Sequence, residues 1–219
     1  MFTEISQEIR SVVRDPRKAL AWVVLRPEEY GRVFGELKDT CNQTVAVNLL
    51  EKHMTKDTDI HEHLLTLYML TVERRLGRIL ELGTRTGEST VALLLAARDV
   101  EGSVTSVDID PCLEAKRNIR ESGLDKYWTF IQADDLPVQW SSPIDHLFID
   151  TSHTFEQTLR ELQKYEPYVV SGGIVTLHDT VSNPEVLRAI RLYAMDKPHL
   201  KVYQYFNCNG LAVIIKKQS

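Results

Sequence analysis

The sequence has few cysteines and lacks long apolar runs. Cys41, Cys112 and Cys208 lie far apart and form no Cys-x-x-Cys pair, so we expect neither a structural zinc site nor a disulfide framework. No segment approaches the ~18 consecutive apolar residues of a membrane span. Residues 1–14 contain acids and no apolar stretch of the kind that a secretory signal requires. These absences predict a cytoplasmic protein without a membrane partner.

An excess of positive charge is also missing. The chain has 26 Lys and Arg against 31 Asp and Glu, which gives a net charge of −5. A short basic group, Arg10, Arg14, Arg17 and Lys18, is typical of a solvated helix face. We therefore expect a small-molecule ligand and no nucleic-acid partner.

The pattern of apolar residues changes near residue 77. Before it, apolar residues recur at helical spacing, as in Ile5, Ile9 and Val12, which predicts an N-terminal helical region over residues 1–76. After it, short apolar runs alternate with helical patterns. We expect a second unit over residues 77–219 to carry the main fold.

That second unit predicts an α/β fold. Five strands, separated by helices, are expected at residues 78–82, 103–109, 127–132, 144–150 and 173–179. This alternation predicts a doubly wound parallel sheet. Near the C-terminus two β-rich runs flank Asn209-Gly210, which is a strong hairpin signal. The two strands of this hairpin, one of them antiparallel to the first five, bring the sheet to seven strands.

Polar residues and glycines follow the first three predicted strands. Gly83 and Gly87 allow a tight turn and a close approach by a ligand, and the helix behind them offers free N–H groups to an anion. The second strand ends at Asp108, suited to the two hydroxyl groups of a ribose. The third ends near Asp134, which could accept from an adenine amino group. These strand ends predict one nucleoside-binding crevice.

Glu81-Leu82-Gly83-Thr84-Arg85-Thr86-Gly87 resembles the E/D-x-G-x-x-x-G motif of class I S-adenosylmethionine-dependent methyltransferases. The resemblance implies a Rossmann-like fold and S-adenosylmethionine as cofactor. It differs from the G-x-G-x-x-G fingerprint of nicotinamide enzymes, because Arg85 and Glu88 stand where that pattern has glycines. The implied cofactor-binding residues are Glu81, Gly83, Thr84, Arg85, Gly87, Ser89, Thr90, Asp108, Ile109, Ala133, Asp134 and Asp150.

The fourth and fifth predicted strands end in acids and histidines. Asp150 and Asp179 would lie on neighbouring strands, about 4.8 Å apart, and could reach one divalent ion. His178 and Asp179 can both be ligands if the chain turns there. His153, three residues after Asp150, could act as general base for an acceptor hydroxyl.

Asp150-x-x-His153, Gly172-Gly173 and His178-Asp179 resemble the small-molecule O-methyltransferases of the cephalosporin hydroxylase-like group. The resemblance implies Asp150 and His153 as catalytic residues, and Asp150, His178 and Asp179 as metal ligands. A histidine at position 178 favours Mn²⁺, Fe²⁺ or Zn²⁺ over Mg²⁺. Related enzymes use their N-terminal region in dimer contacts, which implies a homo-oligomer. A metal-free site, in which these residues bind substrate or brace the loop, stays open.

Other functions stay open at this point. They are a nicotinamide-dependent oxidoreductase, a cofactor-binding protein without catalysis, and a nucleic-acid methylase, although the Asn/Asp-Pro-Pro-Tyr type of tetrapeptide is absent at residues 150–153. The acceptor could be a sugar hydroxyl, a phenol, a carboxylate or a lipid headgroup. His61 and His63 do not face each other on a helix, so we expect them at solvent or pocket positions.

Overall fold

The computed structural model describes residues 55–217. Its helices are α1 (Leu64–Arg74), α2 (Glu88–Asp99), α3 (Leu113–Glu121), α4 (Phe155–Tyr165) and α5 (Pro184–Ala194). Its strands are β1 (Arg78–Leu82), β2 (Ser103–Asp108), β3 (Trp128–Gln132), β4 (Ile144–Ile149), β5 (Val169–His178), β6 (Leu200–Tyr205) and β7 (Leu211–Lys216). The helices expected before residue 55 lie outside the described residues.

The strands form one seven-stranded sheet in the order β3-β2-β1-β4-β5-β7-β6. Neighbours from β3 to β5 are parallel, whereas β7 is antiparallel to both β5 and β6. The expected fold is thereby confirmed, including its antiparallel C-terminal strand. Since β1 and β4 are adjacent, the chain reverses its direction of winding between them. Ligands of open α/β sheets bind at the carboxyl edge beside such a reversal.

Each face of the sheet is covered by helices because its side chains alternate between two hydrophobic cores. Ile79 of β1 lies in the core with α1, α2 and α3, and Leu80 lies in the core with α4 and α5. Leu64 and Leu67 of α1 are fully buried in the first of these cores. The described residues of the N-terminal region therefore share a core with the sheet, and a boundary at residues 76/77 stays a prediction. No described helix has the length and apolar character needed to cross a membrane.

Several boundaries differ from the expected ones. The helix expected at Asp110-Pro111 begins later, at Leu113, because the Asp108 side chain accepts the Asp110 N–H at 2.8 Å and holds that residue in a turn. β5 begins at Val169, four residues before the expected start, and its register shifts against β4 near the Gly172-Gly173 pair. The hairpin has a five-residue loop, residues 206–210.

Candidate active site

The carboxyl edge of the sheet contains an unusual set of backbone conformations. Arg85, Cys112, His153 and Asp179 follow β1, β2, β4 and β5, and all have positive φ angles between 45° and 60°. Non-glycine residues adopt this region at a cost, and such residues concentrate at functional sites. Four of the eight described non-glycine residues with a positive φ therefore follow strands at the edge predicted to bind ligands.

Glu81 lies beneath the loop that follows β1, and its side chain is fully buried. The hydroxyl groups of Ser89, Thr90 and Ser106 donate to its carboxylate at 2.8, 2.8 and 2.5 Å. Burial raises the pKa of Glu81 to about 7, although these hydroxyl groups act in the opposite direction. Its carboxylate fixes the loop and α2 from below, so any effect on a ligand in the crevice passes through that loop.

The glycine loop packs directly against the end of β4. Gly83 has a φ of 90°, and a Cβ added to it would lie 2.0 Å from the carbonyl oxygen of Asp150. Gly87 precedes α2 with a φ of 90°, and no side chain caps the helix. The N–H groups of the first turn of α2 can therefore donate to an anionic group. The β1 loop and Asp150 form one continuous surface.

Asp108, at the end of β2, holds the glycine loop from the other side. Its Oδ2 accepts the backbone N–H groups of Thr84 and Arg85 at 2.7 and 3.0 Å. These bonds keep the pKa of Asp108 below its usual value, although burial acts to raise it. Beside it, Ile109 leaves 69% of its surface exposed. Such an apolar surface beside a carboxylate suits a nucleoside.

The end of β3 completes this half of the edge. The Ala133 N–H donates to the Asp108 carbonyl at 2.9 Å, which sets the third strand end beside the second. Asp134 is exposed, and its Oδ1 accepts the Leu136 N–H at 3.0 Å. The cofactor-binding residues expected from the sequence thus lie along one edge from β1 to β4, and among them the side chains of Glu81, Thr84, Ser89 and Thr90 are buried. Whether they bind a cofactor stays a prediction.

A compact polar cluster follows β4 and β5. The Nε2 of His153 lies 2.9 Å from Asp150 Oδ1 and 3.0 Å from Asp179 Oδ2. The other Asp179 oxygen accepts the Ser182 hydroxyl. The Asp150 contact raises the pKa of His153, and the two carboxyl groups have pKa values below their usual ones despite the opposing effect of burial. The two carboxylates therefore hold the His153 ring between them and stabilise the imidazolium that forms when the ring takes up a proton.

His178 lies behind this cluster and is 1% exposed. Its Nε2 donates to the Cys208 carbonyl at 3.1 Å, and its Nδ1 lies 3.5 Å from Asp150 Oδ1 and from Asp179 Oδ2. Burial acts to lower the pKa of His178, but the two carboxylates raise it to about 10. His178 and Asp179 were expected to act together as ligands only if the chain turns between them. That turn is present, since Asp179 has a φ of 60°.

The donor atoms of Asp150, His153 and Asp179 could hold a metal ion. Their ligand atoms lie within 4.8 Å of one another, which makes them a candidate metal-binding group in the described part of the chain. This set differs from the expected Asp150, His178 and Asp179, because His153 is nearer to both carboxylates than His178 is. Two carboxylates and one imidazole fit Mn²⁺, Fe²⁺ or Zn²⁺.

The residues before α1 connect the two halves of the edge. Asp59 forms a two-bond ion pair with the Arg85 guanidinium at 2.8 and 2.9 Å. On the other side, His63 Nε2 lies 3.0 Å from the Asn207 carbonyl, in the loop that also contacts His178. Residues 59–63 therefore span from the glycine loop to the β6–β7 loop.

Sequence reasoning missed three contributors to this edge. His63 was expected at solvent or in a pocket, but it is fully buried with its ring 5.7 Å from that of His178. Burial, reinforced by the charge of His178, lowers the pKa of His63 to about 4. The other two are Asp135 and Glu161, buried acids beneath the β3 and β4 ends. Of these three residues, only His63 had a signal in the sequence, because it belongs to the His-x-His pair.

The strand order, the antiparallel β7, the glycine loop after β1 and the acid after β2 together define a class I methyltransferase fold. The comparison with protein families agrees, since residues 80–180 match the family described as a methyltransferase domain. The structural neighbours that share this fold include an O-methyltransferase.

Solved structures share this fold at low sequence identity. An S-adenosylhomocysteine-bound methyltransferase of Podospora anserina is 15% identical, with 89% of this chain and 97% of that one covered and a TM-score of 0.64. An O-methyltransferase of Bacillus cereus, also bound to S-adenosylhomocysteine, is 15% identical, with 91% of this chain and 96% of that one covered and a TM-score of 0.60. A protein assigned as an rRNA methylase from Clostridium thermocellum is 18% identical, with 75% of this chain and 98% of that one covered and a TM-score of 0.56. The fold therefore does not identify the methyl acceptor.

Proposed function

We propose that this protein transfers a methyl group from S-adenosylmethionine to a hydroxyl oxygen of a small molecule. The observation that carries this proposal is the contact between the glycine loop and β4. Because Gly83 leaves no room for a Cβ against the Asp150 carbonyl, a ligand bound along that loop ends beside the Asp150, His153 and Asp179 cluster. A methyl donor and an acid–base group would then meet at one point.

The cofactor half of the edge suits each part of S-adenosylmethionine. The uncapped N-terminus of α2 would bind the methionine carboxylate. Asp108 would accept from the ribose hydroxyl groups, and the exposed Ile109 would pack on the adenine ring. Ala133 and Asp134 would border the adenine on the side of β3. When bound, the cofactor supplies an electrophilic methyl group on a sulfonium ion.

On the catalytic half, His153 would act as general base. Its Nε2 is held by Asp150 and Asp179, so in the neutral ring with a proton on Nε2 the lone pair is on Nδ1. That nitrogen would take the proton of the acceptor hydroxyl as the oxygen attacks the methyl carbon. The two carboxylates would orient the ring and stabilise the imidazolium that forms. Beyond this, the protein would contribute proximity and alignment.

A divalent ion would give the same cluster a second way to activate the acceptor. Asp150, Asp179 and either His153 or His178 would hold it. The ion would lower the pKa of the acceptor hydroxyl. Because His153 Nε2 cannot bind an ion and keep its proton, the ring would have a different tautomer in the loaded site.

The remaining assignments rest on weaker support. A small-molecule acceptor agrees with the net charge of −5, which disfavours a nucleic-acid partner. We propose that residues 1–76 cap the acceptor pocket and support a homo-oligomer, and that the protein acts in the cytoplasm. Among the described residues, Asp59 brings the segment before α1 onto Arg85 at the mouth of the crevice.

The first test is calorimetric titration of the purified protein with S-adenosylhomocysteine, with NAD as the matched control. We expect micromolar binding of S-adenosylhomocysteine and none of NAD. Repeating the titration with EDTA and with added Mn²⁺ or Mg²⁺ tests the ion. Radiolabelled S-adenosylmethionine would then be supplied with sugars, phenols, carboxylates and rRNA in parallel. Binding of NAD alone, or failure to bind S-adenosylhomocysteine under every metal condition, would overturn the proposal.

A further inference from the structure

One face of α4 binds the segment that follows β3. Lys164 donates to the carbonyl oxygens of Asp135, Leu136 and Val138 at 2.5, 2.8 and 2.6 Å. The Tyr165 hydroxyl donates to the Asp135 carbonyl at 2.5 Å. This segment directly follows Ala133 and Asp134, so α4 fixes the position of the proposed adenine site.

The same face of α4 also contacts the start of the loop after β4. Glu161, fully buried in the second turn, accepts the Thr151 hydroxyl at 2.6 Å. Thr151 directly follows Asp150, so this hydrogen bond bears on the position of the proposed catalytic loop. Glu161 thus lies where the cofactor and catalytic halves of the edge meet.

Asp135 and Glu161 are brought together by one amide group. The Gln157 Nε2 donates to Glu161 Oε1 at 2.9 Å and lies 3.2 and 3.3 Å from the two Asp135 oxygens. The other Glu161 oxygen is buried and accepts no hydrogen bond from a donor group among the described residues. Two buried carboxyl groups on one amide cannot both carry a full negative charge without strong repulsion.

The surrounding charges decide which carboxyl group keeps a proton. Burial raises the pKa of Glu161 to about 8, and the charge of Asp135 acts in the same direction. The groups that face the pair are the Lys164 ammonium, the Asp134 carboxylate and the Tyr165 hydroxyl. Lys164 favours an ionised Asp135, which leaves the proton with Glu161.

We propose that Asp135 and Glu161 share one proton, and that this singly charged pair positions the loop after β3 against the loop after β4. Both are positioning residues, which act through Asp134 on one side and through Thr151 and Asp150 on the other. The inference rests on the proposed function, because it assigns those two loops to one cofactor-bound site. Loss of the shared proton would place two like charges in a buried space and separate the loops.

The consequence is a cofactor affinity that weakens as the pH rises. Because the raised pKa keeps the pair singly charged at neutral pH, we expect S-adenosylhomocysteine affinity to fall about tenfold between pH 7 and pH 9. Other groups also titrate in this range, including the ligand's own amino group. The informative quantity is therefore the ratio of wild-type affinity to variant affinity at each pH.

The test is calorimetric titration with S-adenosylhomocysteine from pH 6.5 to pH 9.5 for the wild type, Glu161→Gln and Glu156→Gln. Glutamine at position 161 keeps a neutral hydrogen-bonding group that cannot lose a proton. We expect E161Q to bind about as well as the wild type at pH 7 and about tenfold better at pH 9. Glu156 is exposed on the same helix, so E156Q should follow the wild type. Parallel curves for the wild type and E161Q would overturn the inference.

A second measurement separates this inference from the proposed function. The carboxyl carbon of Glu161 can be followed by ¹³C NMR in the wild-type protein without any ligand, with E161Q used to assign the signal. We expect it to titrate near pH 8 and not near its ordinary value. A titration near pH 4 would overturn proton sharing even if S-adenosylhomocysteine binds. Absence of ligand binding at every pH, with titration near pH 8, would instead reject the proposed function.

Discussion

Two carboxyl groups on adjacent strands, Glu81 of β1 and Asp150 after β4, have opposite surroundings. The described donors to Glu81 are hydroxyl groups, and its side chain is fully buried. Asp150 is paired with imidazole rings, and a quarter of its side chain is exposed. The main chain of Asp150 packs against Gly83, which lies two residues after Glu81.

The difference assigns a structural role to Glu81 and a chemical role to Asp150 at one edge of the sheet. Hydroxyl groups do not ionise near neutral pH, so in the Glu81 network only the carboxyl group itself can change its charge there. Imidazole rings gain and lose protons in that range, so the Asp150 cluster can take part in proton transfer. We expect substitutions in the catalytic half to reduce turnover, and those in the cofactor half to reduce affinity or stability.

The largest expected effect is that of His153→Gln. Removing a general base lowers kcat by roughly 10²- to 10⁴-fold. The affinity for S-adenosylhomocysteine should stay within about threefold of the wild type, because the interaction is made in the transition state. Single-turnover methyl transfer and calorimetry measure the two quantities. His199→Gln, an exposed histidine before β6, is the control. Less than a tenfold loss in kcat would remove His153 from the chemistry.

A smaller effect, on affinity, is expected for Asp108→Asn. The substitution removes the charge that accepts the Thr84 and Arg85 N–H groups. Hydrogen bonds to a charged group contribute about 1.5–3 kcal/mol, so S-adenosylhomocysteine should bind roughly 10- to 100-fold more weakly. Asp110→Asn changes the same charge two residues away, on an exposed side chain, and should bind normally. Equal affinities for the two variants would contradict the role given to Asp108.

The smallest effect, on stability, is expected for Glu81→Gln. An amide cannot accept from all three hydroxyl groups, so the free energy of unfolding should fall by about 1–3 kcal/mol. Because its pKa is raised to about 7, Glu81 binds more protons in the folded than in the unfolded chain between its ordinary value and pH 7. Its contribution to stability therefore decreases as the pH rises through that window.

Urea unfolding at pH 5 and at pH 7 measures this slope. The stability advantage of the wild type over E81Q should be smaller at pH 7 than at pH 5. Glu73→Gln, exposed on α1, serves as the control and should leave the slope unchanged. An E81Q protein with wild-type stability at both pH values would show that the hydroxyl groups have other partners.

The fold could be predicted because its signals are local. Apolar runs between turn residues identified β1 to β5, and Asn209-Gly210 identified the reversal that makes β7 antiparallel. Boundaries were less accurate where side chains bond to the backbone. Asp108 delays α3 by accepting the Asp110 N–H, an interaction that pattern and propensity do not reveal.

The candidate site was only partly predictable for the same reason. Asp150 and Asp179 were placed together because neighbouring parallel strands end at the same edge. The choice between His153 and His178 depends on the left-handed conformations of His153 and Asp179, which a sequence does not specify for residues other than glycine. The contact between Asp135 and Glu161 joins two distant segments and has no local signal.

The position of β7 has a consequence for how the chain is made. β5 is bonded to β4 on one side and to β7 on the other, and its residues Ile174, Val175 and Leu177 are buried in the finished sheet. While the ribosome has yet to release Leu211–Lys216, that side of β5 is an open and apolar edge, available to any other strand. Because β7 is made after the other six described strands, it is the strand that finally protects β5 from aggregation. In its place, β6 would have to pair with β5 in parallel, since β7 is antiparallel to both strands.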